Sequence, residues 1–327
     1  MSGRIAFLLR RLGHAVVMVV GIAVLTFFVL HLIPGDLAEY MAAQGGGGDA
    51  AYVADLRARF GLDQPLWLQF FTFLSSLIRL DLGYSFRDNL PVIDVIMTRL
   101  PATLLLMSIS IAFAFVVGAL LGAISAMRVH RLTDAIISFL AVLGYATPLF
   151  WLGLLMIYLF TVKLGWLPSS GMRTIGRPAA GWDAVADVAR HVVMPALTLA
   201  LFYMAVFVRL MRASMLEIAT LDFVRTARAK GMSELRVYFG HIIGNAMLPM
   251  VTMLGVQIST ILGGSVVVET VFGWPGLGRL TYDALVARDV NLLLGILFLS
   301  SVLVIVTNLL VDLLYSMLDP RIEVAGS

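Results

Sequence analysis

The chain has 327 residues, 60% hydrophobic and 13% charged, with a mean hydropathy of +0.96 and a pI near 9.3. A soluble surface needs far more charge, so a water-soluble globular domain is excluded. The net charge of +3 is the excess that cytoplasmic loops of a polytopic membrane protein supply, not a nucleic-acid footprint. The absence of cysteine rules out a disulfide framework, thiol catalysis and a Cys-based metal site.

Residues 1–11 carry Arg4, Arg10 and Arg11 ahead of an uncharged run, 12–33. That run is too long for a signal-peptide core and no small-residue cleavage pattern follows, so it predicts a retained first span starting in the cytoplasm. His14 and His31 near its ends suit structural roles at the interface rather than metal binding. Pro34 and Gly35 end the span. A less apolar outer loop, 34–101, follows, with a flexible tip at Gly45–Gly48 and amphipathic stretches at 52–60 and 66–80. Trp67, Phe70, Phe71 and Leu74 recur at helical spacing in a stretch too short to cross a bilayer. It suits a helix lying at the interface or capping the spans.

The second span is predicted at 102–127, with Pro101 at its boundary, and is followed by the basic turn Arg128, His130, Arg131. Residues 135–162 form the third, broken near Thr147-Pro148. After a Gly/Pro-containing loop with Trp166 and Trp182 as interfacial anchors, the fourth runs 192–208 with Pro195 in its first turn. A polar stretch, 209–245, precedes the fifth span, 246–268. The outer loop 269–289, the sixth span, 290–311, and a tail, 312–327, complete the chain. The expected architecture is an all-α polytopic membrane protein: one domain, six transmembrane helices, both termini cytoplasmic, and a large outer loop between spans 1 and 2. Lys/Arg divide 12 inside to 11 outside, so this orientation rests on the short loops, where the positive-inside rule is strongest.

Residues 209–249 hold six Lys/Arg and three acids between two apolar spans. Asp222 is predicted as the N-cap of a helix 223–230, Gly231 as its left-handed C-cap, and Ser233 as the cap of the next helix. A short crosswise helix displaying Arg225, Arg228 and Lys230 offers a grip to a partner outside the membrane. The same residues also suit a basic loop resting on anionic lipid.

No catalytic set is visible. The five histidines form no metal-ligand pair, and no Gly-rich loop ends in Lys-Ser/Thr, so ATP binding through a P-loop is not expected. Gly273-Trp274-Pro275-Gly276-Leu277-Gly278 reads as a turn rather than a nucleotide fingerprint. Acids and His are missing from mid-span, which argues against an ion-coupled carrier. Gly263-Gly264 is open to two readings, a discontinuous helix or close helix packing.

At these residues the sequence resembles the membrane-spanning subunits of ABC importers, and more narrowly the B-type subunit of the dipeptide/oligopeptide permease family. The resemblance covers nearly the whole chain. It rests on Arg10-Arg11-Leu12, Ile33-Pro34-Gly35-Asp36, Gly61-Leu62-Asp63-Gln64-Pro65-Leu66, Asp81-Leu82-Gly83-Tyr84-Ser85-Phe86 and Leu100-Pro101-Ala102-Thr103-Leu104. Its strongest strings are Arg225-Thr226-Ala227-Arg228-Ala229-Lys230-Gly231 and the run from Glu269 to Gly278, followed by Asn308–Tyr315 and Asp319-Pro320-Arg321. Arg225-Thr226-Ala227 stand where the general importer pattern has Glu-Ala-Ala, a variant that resembles the peptide branch.

The resemblance implies the type I ABC importer fold, in a bacterial inner membrane. It implies that Asp222 and residues Arg225, Thr226, Ala227, Arg228, Ala229, Lys230 and Gly231 belong to the coupling helix of the EAA loop, seated in a cytoplasmic ATPase. It implies as partners a homologous C-type permease subunit, one or two kinds of ATPase, an extracytoplasmic substrate-binding protein, and membrane lipid. No cofactor is expected in this chain; ATP and Mg belong to the ATPases. Gly263, Gly264, Glu269, Trp274, Pro275 and Gly276 are candidates for the outer gate and pathway. Peptide is the expected cargo, with a nickel chelate, glutathione, an opine or a sugar as alternatives. An ATP-independent secondary carrier is the rival class.

Overall fold

The computed structural model describes residues 2–32, 49–59, 63–85, 87–176 and 180–318. The expected turn at Pro34-Gly35, the Gly45–Gly48 tip and the tail beyond 318 lie outside them. Helix α1 (Ser2–Leu32) is followed by α2 (Ala50–Arg59) and α3 (Leu66–Ile78). An antiparallel hairpin pairs β1 (Tyr84–Ser85) with β2 (Leu90–Pro91), Tyr84 opposite Pro91. Next come α4 (Val92–Met127), α5 (Leu132–Ala146) and α6 (Leu149–Met156), which continues as a π-helical stretch, Ile157–Lys163. Helices α7 (Trp182–Ile218), α8 (Asp222–Ala229) and α9 (Glu234–Val237) lead through a second π-helical stretch, Tyr238–Ile242, into α10 (Ile243–Val271). Then follow α11 (Leu277–Ala287) and α12 (Val290–Leu318).

Among the described residues, five stretches are long and apolar enough to cross a membrane: Arg10–Leu32, Val92–Met127, Trp182–Ile218, Glu234–Ile258 and Val290–Val311. The pair α5 and α6 makes a sixth if it counts as one span. Their axes meet at 105°. The bend has a local cause: Pro148 has no N–H to donate and holds Thr147 in an extended conformation, φ −80° and ψ 129°.

Two prolines expected at helix starts lie inside helices. The helix expected from residue 102 begins at Val92 and runs through Pro101. The helix expected from residue 192 begins at Trp182, so Pro195 is interior and not in the first turn. Each proline leaves a carbonyl one turn back, at Met97 and His191, without its usual donor. Packed helices tolerate such interruptions because neighbours hold both halves in line. Pro195 is itself buried. Helix α10 is continuous through Gly263-Gly264, so a discontinuous helix is not what these glycines serve.

The chain divides into two compact units, residues 1–98 with 283–327, and residues 99–282. In the first, α1 packs on α12, where Ala23, Leu77 and Phe298 are buried together. Phe27 of α1 meets Phe70 and Phe73 of α3 at 5.3 and 5.7 Å. His31 Nε2 lies 3.0 Å from Gln69 Oε1, the structural role expected of it. Helix α3 thus lies against α1 and leaves Trp67, Phe71 and Ile78 exposed. The hairpin is tied to α12 through buried Asp289, whose Oδ2 accepts from Ser85 Oγ (2.7 Å) and the Arg87 N–H (3.3 Å). Its Oδ1 accepts from the Leu292 N–H at 3.1 Å, capping α12.

The second unit is organised around α7, whose neighbours meet it at glycines. A Cβ on Gly118 would stand 2.6 Å from Phe207 Cβ, and one on Gly122 would stand 2.6 Å from the Val208 carbonyl and 2.7 Å from Met211 Cβ. Gly118 and Gly122 form a G-x-x-x-G pair that brings α4 and α7 into backbone contact. Gly144 of α5 approaches the Leu201 carbonyl of α7 in the same way, and Gly153 of α6 faces Phe272. Gly122→Ala therefore collides with backbone that has no rotamer to change. Its expected cost is about 1–3 kcal/mol, read as an earlier thermal transition of the detergent-solubilised protein. Gly21→Ala meets no atom within 4 Å and should leave that transition unchanged or raise it.

Candidate functional site

Helix α8 buries one face and shows the other. Val224 and Ala227, three residues apart, are buried in the same cluster as Val237, Ile242, Met211 and Met215. Arg225, Thr226, Ala229 and Lys230 face outward, and Phe223 is 43% exposed. The N-cap is Leu221, in extended backbone and without a side-chain cap, so Asp222 is the first helical residue and not the cap. An apolar residue takes the cap because the helix begins one residue earlier than its polar signal. The Asp222 carboxylate, 98% exposed, still favours the positive end of the helix dipole from there. Ser233 stands at the N-cap of α9 but makes no side-chain cap bond.

The C-terminus follows expectation. Gly231 has φ +78°, its N–H donates to the Arg228 carbonyl (2.9 Å), and the Met232 N–H donates to the Ala227 carbonyl (3.4 Å). This is a Schellman motif, which fixes where α8 ends and how the chain turns toward α9. Arg228 is not simply displayed. Its Nε and Nη2 donate to the two Glu234 oxygens at 3.0 and 3.3 Å, and Nη1 donates to the Ala219 carbonyl at 3.3 Å. It braces α8 against the end of α7 and the start of α9. Arg225, 3.7 Å from Asp222 and 70% exposed, and Lys230 remain at the surface.

A second polar centre, built by residues the sequence did not single out, lies in the same unit. Asp134, in the first turn of α5, is 5% exposed. Arg212 of α7 grips it with two bonds, Nε to Oδ1 at 2.8 Å and Nη2 to Oδ2 at 2.9 Å. Ser125 Oγ donates to Oδ1 and the His130 N–H to Oδ2 at 3.1 Å. His130 adopts φ +63°, which closes the basic turn and aims its N–H at the carboxylate. The only hint in the sequence was an acid placed just after that turn; its partner is 78 positions away.

The third centre gathers Glu269, Trp274, Pro275 and Gly276. Glu269 is fully buried. Its Oε1 accepts from Thr103 Oγ1 (2.8 Å) and its Oε2 from the Arg279 N–H (3.0 Å), while Thr103 Oγ1 also accepts from the Leu277 N–H at 2.7 Å. The Trp274 N–H donates to the Glu269 carbonyl at 2.8 Å, and its indole N–H donates to the Ala102 carbonyl at 2.8 Å. A Cβ on Gly276 would overlap both Glu269 and Thr103, and Gly273 needs its φ of +58°. Pro275 is half-buried within the turn. Gly263 and Gly264 are residues of α10, one to two turns before Glu269.

Sequence comparison matches the chain to one family. Its profile, described as a binding-protein-dependent transport system inner membrane component, matches residues 118–324, and the N-terminal component of such systems matches residues 4–107. The chain belongs to this family of transport permeases. The permease is 38% identical over 334 residues to the dipeptide transport system permease protein DppB of Escherichia coli (strain K12), covering 97% of this chain and 98% of that one. It is also 38% identical over 320 residues to the oligopeptide transport system permease protein AppB of Bacillus subtilis (strain 168), covering 97% and 99%. Among solved structures it resembles a chain of the MetNI methionine ABC transporter in an inward-facing conformation. That match has a TM-score of 0.55 at 18% identity, over 69% of this chain and 97% of that one. An amino acid ABC transporter gives 0.51 at 19%, over 68% and 94%. These two likenesses are of fold.

The permease's α8 yields a test in which local order and chain integrity separate. A Cβ at Gly231 meets no neighbour within 4 Å, so its cost is backbone strain, about 1–2 kcal/mol. Gly231→Val should speed amide exchange in 222–234 while exchange in α4 and α7 stays slow. Glu269→Ala removes the acceptor of the Thr103 hydroxyl and of the Arg279 N–H, and each orphaned donor costs about 1–3 kcal/mol. The expected result is a lower thermal transition, with the larger part of the loss recovered in a Glu269→Gln variant that keeps one acceptor.

Proposed function

We propose that this permease forms one half of the translocation pathway of an ATP-driven importer of dipeptides and oligopeptides. The observation that carries the reading is identity of 38% along 97% of the chain with a dipeptide permease. The short helix α8, with its braced and outward-facing cations, adds to it. In this reading the chain crosses a bacterial inner membrane six times with both termini in the cytoplasm, and the bent α5–α6 pair is one crossing. Residues Asp222 to Gly231 form the coupling helix. Arg225, Lys230 and Phe223 face the cleft of a cytoplasmic ATPase, while Arg228 keeps the helix rigid. A homologous sister permease completes the pore, and an extracytoplasmic binding protein delivers the peptide. Hydrolysis of ATP, with its Mg, takes place in the ATPases, so the chain itself catalyses nothing.

Coupling then has a mechanical form. Closure of two ATPase subunits moves α8, and α8 moves the inner ends of the helices it packs against, switching the pore from inward- to outward-facing. The turn from Glu269 to Gly276 borders the outer gate. Since the binding protein selects the cargo, the lining of the pore has only to admit and release it.

The test is a mild-detergent purification of the complex from its native membrane, with its proteins and small molecules identified by mass spectrometry. A second six-span permease, ATPases and a binding protein loaded with peptide are expected. A loaded binding protein carrying a metal chelate or sugar would correct the cargo alone. Recovery of this chain by itself, transporting in vesicles without ATP, would replace the reading with a carrier. In the assembled complex, Arg228→Glu places an acid face to face with Glu234. ATP hydrolysis should then continue with transport reduced at least about tenfold, a loss of roughly 1.4 kcal/mol of coupling.

A further inference from the structure

A groove of about 510 Å³ runs between facing stripes of α7 and α10. Val206 and Leu210 from α7 and Met253 and Val256 from α10 make its apolar walls; Thr252 and Arg209 are its polar side chains. Its volume is in the range, about 300–1,000 Å³, of pockets that hold small organic ligands.

Arg209 is the charged group of this groove, and it is held in place without being neutralised. Its Nε donates to the Ala205 carbonyl at 3.3 Å. Its guanidinium carbon lies 5.2 Å from the centre of the Tyr145 ring, which is itself stacked on Phe202 at 5.0 Å and 18°. A cation over an aromatic face keeps its full charge. The two terminal nitrogens have no partner among the described residues. Arg212, three residues on, is different: its Nε–Nη2 edge is taken by Asp134. One arginine is thus a structural clamp, and the other presents an open fork to an apolar groove.

A planar guanidinium with its terminal edge free matches a carboxylate. A short peptide has one carboxylate at its C-terminus beside a side chain of any polarity. We propose that Arg209 is a transit contact for the cargo: its terminal N–H groups bind the peptide's α-carboxylate, and the groove walls take the C-terminal side chain. This rests on the peptide reading above. The contact is built to be weak. Arg209 is exposed and solvent competes for its fork, which suits a site that has to release what it binds.

The experiment uses the whole complex in vesicles, driven by ATP. A tripeptide and its C-terminal amide are chosen for equal capture by the binding protein. For the wild type, the free acid should cross faster than the amide. Arg209→Gln should slow the acid about tenfold, the equivalent of one charge-assisted bond, and leave the amide within twofold. Arg209→Lys should restore part of the acid's rate, and ATP hydrolysis should stay within twofold in both variants. A second arm titrates the detergent-solubilised complex, without binding protein, with each peptide. The acid should bind more tightly than the amide in the wild type and equally in Arg209→Gln. Acid and amide falling together would overturn the proposal, leaving Arg209 to pair with an acid of the sister subunit. A joint fall that follows the phosphatidylglycerol content of the vesicles would overturn it in favour of a lipid phosphate. Rates of both peptides unchanged would remove any role for the groove. A wild-type complex that moves neither peptide but moves another solute would overturn the peptide reading, and this inference with it.

Discussion

Helices in lipid gain little by hiding apolar side chains from one another, because the lipid is as apolar as they are. What draws them together is close approach, and close approach needs places without side chains. In this permease those places include Gly118, Gly122, Gly144 and Gly153. The first three face α7, which is why α7 is the most buried of the long helices: 67% of its apolar window is inside the protein, against 33% or less for the others. The bent α5–α6 pair, the long α4 and α10 are arranged around it. At those three glycines α7 meets its neighbours' backbone closely, so its register is fixed by a few contacts that cannot slide.

Polar side chains then fix what small residues bring close. Among the described residues, three buried carboxylates do this work, and each joins segments far apart in the chain. Asp134 joins the first turn of α5 to α7, Glu269 joins the end of α10 to Thr103 and Arg279, and Asp289 joins the β-hairpin to the start of α12. All three are surrounded by donors, which is the condition for keeping an acid inside a bundle. Buried acids in a transporter invite an ion-relay reading. Here their acceptors are filled by serine, threonine, arginine and backbone N–H groups, an arrangement that fits staples.

The long apolar helices were legible because uncharged runs of twenty residues and more leave little choice of structure, and so was the sharp break at Thr147-Pro148. Gly231 was legible too, since a glycine after a helical run has one common use. Prolines misled: Pro101 and Pro195 read as helix boundaries from local propensity, whereas tertiary packing carries both helices straight through them. The polar centres were hidden for a different reason. Nothing at Asp134 names Arg212, nothing at Glu269 names Thr103, and pairings across such separations are made by the fold and not by spacing. Arg228 was read as displayed because its helix position faces outward, but a long side chain can fold back, and Glu234 was six residues away to receive it. The Gly118–Gly122 pair was present as a pattern in a long apolar run and needed its partner helix to acquire meaning.

The same features decide how a push on α8 would spread in the proposed cycle. Its buried residues Val224 and Ala227 share a cluster with Met211 and Met215 of α7 and with Val237 and Ile242 beyond α8. Arg228 adds a bond to the last turn of α7 through Ala219 and another to α9 through Glu234. Packed interiors transmit displacement because they compress little. A load on the outer face of α8 therefore reaches α7 directly, and Asp134 passes it to α5 through Arg212. Arg209 stands one turn away from that clamp on the same helix. Any shift of α7 that carries Arg212 moves Arg209 with it, so the proposed contact with the cargo and the path of the load belong to one rigid element. A peptide carboxylate held at Arg209 would be released by the same movement that resets the pore, with no separate gate needed for the step.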